Sequence, residues 1–426
     1  MKNLALWAPF LLLAWGCNNE EPTPSLPPPD SILTIHMQDV IPENYGGWIF
    51  LSDQQGELLG WKMVVNNTVS ELEYAAPAGG SPFDLHFITI PQLTGNTQST
   101  SYEITSYTGI DENEVFFKSK PNETHEVARS VNLIFDQSFG EIIYKLANTS
   151  RTFGKKSSDV LRLSLLEGDS LILVAILQEG SENWRYGWIT PTSDDPMIWI
   201  TENMLTEQCP VVYIQTIPHQ YWSIYLDAME IDGRRPLQRL TTTITEQEFN
   251  ELGHYPLFQP LELFSRYAMG RRITTSDPEH GNYDYNFFRV GPPNLNFQPG
   301  LPDLDILEQE DGGISAQLDM NNDYLQVIWE KRKEESPFGS LFAKWIVNSD
   351  FSEPFYFPEL PPVPYNIIPE ELHQAEFELH RIQTVKDSRI DGYNAFLQRL
   401  LLSDTPIWEE DPGLDYSLES TSRYFE

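Results

Sequence analysis

Trp48-Ile49-Phe50-Leu51-Ser52-Asp53-Gln54-Gln55-Gly56-Glu57-Leu58-Leu59-Gly60-Trp61 places two short apolar runs on either side of a polar corner. Each run is too short to make a helix, and Asp and Gly supply the side-chain acceptor and the left-handed residue that reverse a chain. The segment reads as a β-hairpin. Upstream, Leu33, Ile35 and Met37 alternate with Thr34, His36 and Gln38, the period of a half-buried strand. Downstream, residues 83–90 and 102–107 continue the pattern.

Two further groups of strands follow. Residues 131–135, 161–166, 171–177, 184–188, 211–216 and 240–245 make the second, and residues 283–290, 314–318, 324–331, 341–347 and 377–384 the third, with a proline-rich run at 354–369 inside it. Only near the C-terminus does the period change. Tyr393, Phe396, Leu397, Leu400 and Leu401 fall at i, i+3, i+4, i+7 and i+8 behind Asp391 as a candidate cap, which predicts a short helix whose apolar stripe packs on the last sheet. The expected fold class is mostly β, with two or three antiparallel, immunoglobulin-like β-sandwich modules and one C-terminal helix. The expected division is 1–17 leader, 18–30 proline-rich linker, 31–128 first module, 129–247 second module and 256–426 third module.

With 63 acidic against 27 basic residues the net charge is −36, spread along the 426-residue chain. A polyanion is repelled by such a surface, so no nucleic-acid partner is expected. Of the two cysteines, Cys209 sits in an apolar strand-like stretch and reads as a buried thiol. No Cys/His cluster with zinc spacing is present, and no cofactor is expected.

The N-terminus combines a lysine at position 2, the apolar run 4–13 and Ala14-Trp15-Gly16-Cys17, followed at once by Asn18-Asn19-Glu20-Glu21. A basic start, a short apolar stretch and small residues before a cut make a secretory signal, too short to span a bilayer. Cysteine as the residue after the cut resembles the lipobox of bacterial lipoproteins, with Trp15 a bulky departure from the pattern. That resemblance implies lipidation at Cys17 and attachment to the outer membrane. Residues 22–30, Pro-Thr-Pro-Ser-Leu-Pro-Pro-Pro-Asp, would then be an extended spacer. Glu20-Glu21 resembles the surface-export signal of Bacteroidota lipoproteins, and the hairpin at 47–59 resembles the carboxypeptidase-regulatory, transthyretin-like β modules of envelope proteins, which are typically non-catalytic.

Gly168-Asp169-Ser170-Leu171 with Asp277-Pro278-Glu279-His280 resembles the nucleophile and histidine blocks of GDSL esterases, implying a hydrolase using Ser170, Asp277 and His280. Ser170, however, leads directly into an apolar strand, and the family's Gly-x-Asn-Asp block is missing. Asp319, Asn321, Asp323 and Glu330 occupy positions 1, 3, 5 and 12 of a calcium-loop template, but Tyr324 stands where the sharp turn needs Gly. The acidic group Asp303, Asp305, Glu308, Glu310 and Asp311 reads as a solvated loop. His373 and His380, with Glu376 between them, lack a third ligand at a suitable spacing.

Trp184, Tyr186 and Trp188 alternate on one strand. Exposed, such a strip stacks on sugar rings; buried, it is core. The expectation from sequence is therefore a non-enzymatic envelope lipoprotein with a binding or scaffolding role. Its partners are the membrane through the lipid and an envelope protein or a glycan, the latter taken by Trp184, Tyr186 and Trp188.

Overall fold

The computed structural model describes residues 29–91, 101–119, 127–147, 153–155, 160–166, 171–191, 197–215, 221–229, 236–239, 242–243, 254–260, 263–264, 266–277, 281–292, 304–309, 312–318, 322–332, 341–361, 377–403 and 415–425. The leader, Cys17 and most of the linker lie outside them.

Strands dominate from the first described residues. The first block contains β1 (Ser31–Met37), β2 (Tyr45–Ser52), β3 (Leu58–Val64), β4 (Thr68–Tyr74), β5 (Phe83–Pro91), β6 (Tyr102–Ile110) and β7 (Glu114–Phe117). The next contains β8 (Val127–Phe135), β9 (Ile142–Ala147), β10 (Phe153–Lys155), β11 (Val160–Leu166), β12 (Ile172–Gln178), β13 (Asn183–Ile189), β14 (Met197–Ile200) and β15 (Glu207–Pro210). After β16 (Val212–Gln215), β17 (Tyr221–Met229), β18 (Pro236–Arg239), β19 (Thr242–Thr243) and β20 (His254–Leu257) come the long β21 (Tyr267–Asp277) and β22 (Gly281–Gly291). The chain then adds β23 (Leu304–Glu308), β24 (Ile314–Leu318), β25 (Tyr324–Arg332), β26 (Leu341–Ser349), β27 (Glu378–Asp387), the helix α1 (Gly392–Leu400) and β28 (Tyr416–Tyr424). The molecule is thus mostly β, with several sheets and a single α-helix among the described residues.

The opening hairpin forms as its corner chemistry dictates. The Asp53 carboxylate accepts from the N–H groups of Gln55 and Glu57, each at 2.9 Å, and Gly56 takes φ +85°, a left-handed value open to glycine at little cost. β2 and β3 close above this turn in antiparallel register from Gly47↔Val64 to Ser52↔Leu58.

The blocks at 31–128, 129–247 and 256–426 are hydrogen-bonded to one another. A 13-stranded sheet runs β18-β17-β21-β22-β28-β27-β25-β26-β6-β5-β2-β3, with β19 also on β17. Within it β6 of the first block lies parallel to β26 of the third, from Tyr102↔Ala343 to Tyr107↔Asn348, and β17 of the second pairs with β21. The first-block end of this sheet is covered on both faces. One face, with Ile49, Leu51 and Leu85, packs against β1, β4 and β7 and against Tyr393, Phe396, Leu397 and Leu401 of the helix region. The other, with Phe50, Ile88, Ile104, Trp345 and Val347, packs against Ile314 and Phe355.

The helix falls where its period predicted. Its stripe packs on the first-block core, with Phe396 also stacked on Tyr324 of β25 at 3.9 Å between centroids, so it bridges the two ends of the chain. Asp391 stands at the cap position without a capping bond; the Asp323 carboxylate, 69 residues earlier, accepts from the Gly392 N–H at 3.1 Å.

The middle block is a sandwich. The sheet β11-β8-β14 faces the sheet β10-β9-β12-β13-β15 across a core of Leu133, Phe135, Ile172, Val174, Ile176 and Ile200, among others. The outer face of the second sheet is covered by Phe258, Phe264, Tyr267 and Met269.

Candidate functional site

The strip expected to meet a glycan is divided by burial. Trp184 and Tyr186 are fully buried, each against Phe258, and the Trp184 indole N–H donates to the Leu257 carbonyl at 2.9 Å. Of the two alternatives that the sequence leaves for this strip, Trp184 and Tyr186 take the buried one: their strand face is covered by residues that arrive more than seventy positions later in the chain. Trp188 alone of the three reaches solvent, at 39% exposure, with its ring edge on Phe264.

Trp188 does not stand alone. The path from β13 to β14 crosses from one sheet of the sandwich to the other. Ile198 and Ile200 of β14 point into the sandwich core, and strand alternation turns Met197 and Trp199 outward, at 44% and 59% exposure. A 3₁₀ turn, Glu202–Met204, follows and lies flush on β13. Glycine at 187 is what allows this, because a Cβ there would meet the Met204 carbonyl oxygen at 2.1 Å. The Arg185 guanidinium fixes the turn by donating to the carbonyls of Glu202 at 3.0 Å and Leu205 at 3.4 Å and by pairing with the Glu202 carboxylate at 3.5 Å, while Leu205 is buried in the core below.

The result is a surface groove of about 470 Å³ lined by Trp188, Ile189, Thr190, Met197, Ile198, Trp199 and Met204. Among the described residues no lining residue is charged. Two indoles and two thioethers on rigid backbone offer stacking and dispersion contact to a ligand, and no lining side chain is a strong proton donor or acceptor. The sequence reading missed Trp199. Its signal was Met197-Ile198-Trp199-Ile200, apolar on both faces of a strand that needs only one face for its core.

A second concavity, about 730 Å³, lies at residues 39–47 and 63–66. The Asn66 amide there is fully used, accepting from the N–H groups of Val40 and Ile41 and donating to the Ile41 carbonyl and the Asp39 carboxylate.

The chemistry-bearing side chains the sequence did not single out lie where β2, β5, β6 and β26 meet. His86 is completely buried, stacked on Phe50 at 4.6 Å. Its Nε2 lies 2.9 Å from Ser52 Oγ and its Nδ1 2.7 Å from Ser106 Oγ, and Ser106 Oγ accepts from Trp345 Nε1 at 2.8 Å. Two tautomers fit these contacts: Nε2–H donates to Ser52 while Ser106 donates to Nδ1, or Nδ1–H donates to Ser106 while Ser52 donates to Nε2. Burial pushes the His86 imidazole down to about 3, so it stays neutral. Nearby, burial pushes the Asp84 carboxyl up to about 7, against the Gly109 N–H that donates to it at 3.0 Å and with the charge of Asp53 adding to the rise. The contacts of His86 with Ser52 and Ser106 join β2, β5 and β6 within the interior.

Other sequence candidates resolve in part. Ser170, His280, Asp319, Asn321 and His373 lie outside the described residues, and Asp277 ends β21. Asp323 is spent on backbone, accepting from Asp387 N–H at 2.5 Å as well as from Gly392. Cys209 is a buried thiol. Among the described residues no group of three or more His, Cys, Asp or Glu is placed to hold a metal ion, and no helix is long and apolar enough to cross a membrane.

No protein-family model matches the chain, and no curated protein matches it. The groove must therefore be read from its own chemistry.

Proposed function

We propose that this chain is a non-enzymatic lipoprotein of the cell envelope, anchored to the outer membrane through lipid on Cys17 and held away from it by the proline-rich spacer, with a binding or scaffolding role. The contact surface in this reading is the groove between β13, β14 and the Glu202–Met204 turn. The observation that carries it is the joint exposure of Trp188 and Trp199 around one concavity that has no charged lining residue among the described residues. Large apolar side chains left exposed side by side on rigid strands mark contact surfaces, since folding alone would bury them.

The test is a crosslinked pull-down of the tagged, lipidated full-length protein from its native membranes, compared with the Trp188→Ala/Trp199→Ala double variant and with Cys17→Ser. Specific partners that disappear with the double variant, and a Cys17→Ser protein that leaves the membrane fraction, are the expected results. Partners retained in full by the double variant would remove the groove from the account, and membrane retention of Cys17→Ser would remove the anchor.

A further inference from the structure

We infer that one face of the 13-stranded sheet, where β22, β28, β27 and β25 lie side by side, binds a neutral glycan laid across the strands. This surface is separate from the groove between β13 and β14, so the inference stands apart from the reading above.

The strand register builds it. Thr274↔Asp284, Asp284↔Ser422, Ser422↔Gln383, Gln383↔Gln326 and Gln326↔Asn348 are successive cross-strand partners, and directly opposed residues share one face of a sheet. From β21 to β26 this face therefore carries a row of hydroxyl, carboxylate and amide groups, one per strand and roughly 4.8 Å apart. Arg381 and Tyr424 oppose each other beside the row on the same face, with the guanidinium 5.9 Å from the Tyr424 ring centre.

The two ends of the row are occupied by the protein itself. Asp284 accepts from Arg272, from Thr274 Oγ1 at 2.5 Å and from Tyr424 OH at 3.2 Å. At the other end Gln326 Nε2 donates to Asn348 Oδ1 at 3.1 Å, and Tyr393 of α1 donates to the Asn348 carbonyl at 2.5 Å. The middle is different. Among the described residues neither the Ser422 hydroxyl nor the Gln383 amide makes a side-chain hydrogen bond, although Ser422 is only 2% exposed. Arg381 donates to Gln326 Oε1 at 3.3 Å, and its Nε is buried without a partner. Partial burial withholds water from these groups while the fold supplies no replacement, a deficit that the oxygens of a ligand make good. Gln326, Arg381, Gln383 and Tyr424 are partly exposed and can be reached.

The chemistry of the row selects the ligand. Amide and hydroxyl groups beside a guanidinium and a tyrosine ring complement the adjacent hydroxyls and the apolar ring face of a sugar. A protein contact centres on apolar and aromatic side chains, and the row itself has none. Strand addition is closed, because β22, β28, β27 and β25 are each paired on both edges. The net charge of −36 repels a polyanionic polysaccharide, which leaves a neutral one.

The experiment is affinity electrophoresis of the full-length protein through native gels that contain soluble β-glucan, xylan, mannan or glycogen, followed by calorimetry with oligosaccharides of whichever retards it. Gln383→Ala and Arg381→Gln are compared with Val69→Ala, at an exposed position of β4. Gln383 has no intramolecular side-chain hydrogen bond to lose, so the urea midpoint of its variant should match the parent's, and a loss of retardation then reports the ligand. The expected result is retardation by one of the four polysaccharides, with affinity reduced at least tenfold in Gln383→Ala and Arg381→Gln and unchanged in Val69→Ala. Retardation by none of the four, equal retardation of all three variants, or retardation by the polyanion alginate alone would overturn the inference.

Discussion

Two regions of this protein invert the usual distribution of side chains, in opposite senses. At the junction of β2, β5, β6 and β26, Ser52, Asp84, His86, Ser106 and Asn348 are buried in a dry interior. At the corner between β13 and β14, Trp188, Met197, Trp199 and Met204 stand in solvent. The first is tolerable because its polar atoms have partners, so burial costs little net free energy. The second confers no stability, because exposed apolar area is not removed from water. The junction joins the two ends of the chain and serves the fold; in the proposed function the open corner is the surface that serves a partner.

The largest expected contrast is in stability. Trp345 is almost fully buried and donates to Ser106, so Trp345→Ala should cost about 3–5 kcal/mol by urea unfolding, the range for deleting a buried aromatic. A loss below about 1 kcal/mol would mean that the junction is not a core.

The pH dependence sharpens the same region. His86 is pushed down to about 3 when folded, so its contribution is complete above its ordinary value near 6.5 and is lost as pH falls from there toward 3. Asp84 is pushed up to about 7, so its contribution is complete below its ordinary value near 3.8 and is lost as pH rises through 7. Between about pH 4 and 6.5 the two slopes oppose one another, and their combined contribution should be nearly constant. Asp84→Asn removes one slope and keeps an acceptor for the Gly109 N–H. Its stability should then rise from pH 4 to 6.5 by on the order of 3 kcal/mol. A variant whose pH slope equals the parent's would show that these two groups do not titrate as their burial requires.

At the corner a backbone change should matter more than a side-chain one. Gly187→Ala drives a Cβ into the Met204 carbonyl, so it should destabilise by about 1–3 kcal/mol and displace the turn that walls the groove. Indole fluorescence of Trp188 and Trp199 reports that displacement. An unchanged spectrum and an unchanged midpoint would show that the turn does not lie flush on β13.

Much of the fold was legible in the sequence, because alternation and corner chemistry are local. The hairpin at Asp53–Gly56 and the helix at Gly392–Leu400 fell where their periods put them. What was not legible is what covers each strand. Period two places Trp184, Tyr186 and Trp188 on one face, but the cover over the first two comes from Phe258, in a different part of the chain. The parallel pairing of β6 with β26 spans about 240 residues, and nothing in either strand names the other. The Ser52–His86–Ser106 contact depends on the register of three strands and leaves no motif.

The account rests on one claim: the corner serves a partner and the fold does not need it. The direct measurement sets the urea midpoint of Trp188→Ala/Trp199→Ala beside its capture of partners from native membranes. The account predicts a stability loss of no more than about 1 kcal/mol, small for two exposed side chains, with capture abolished. A large loss of stability with capture intact would contradict it and make the corner part of the core.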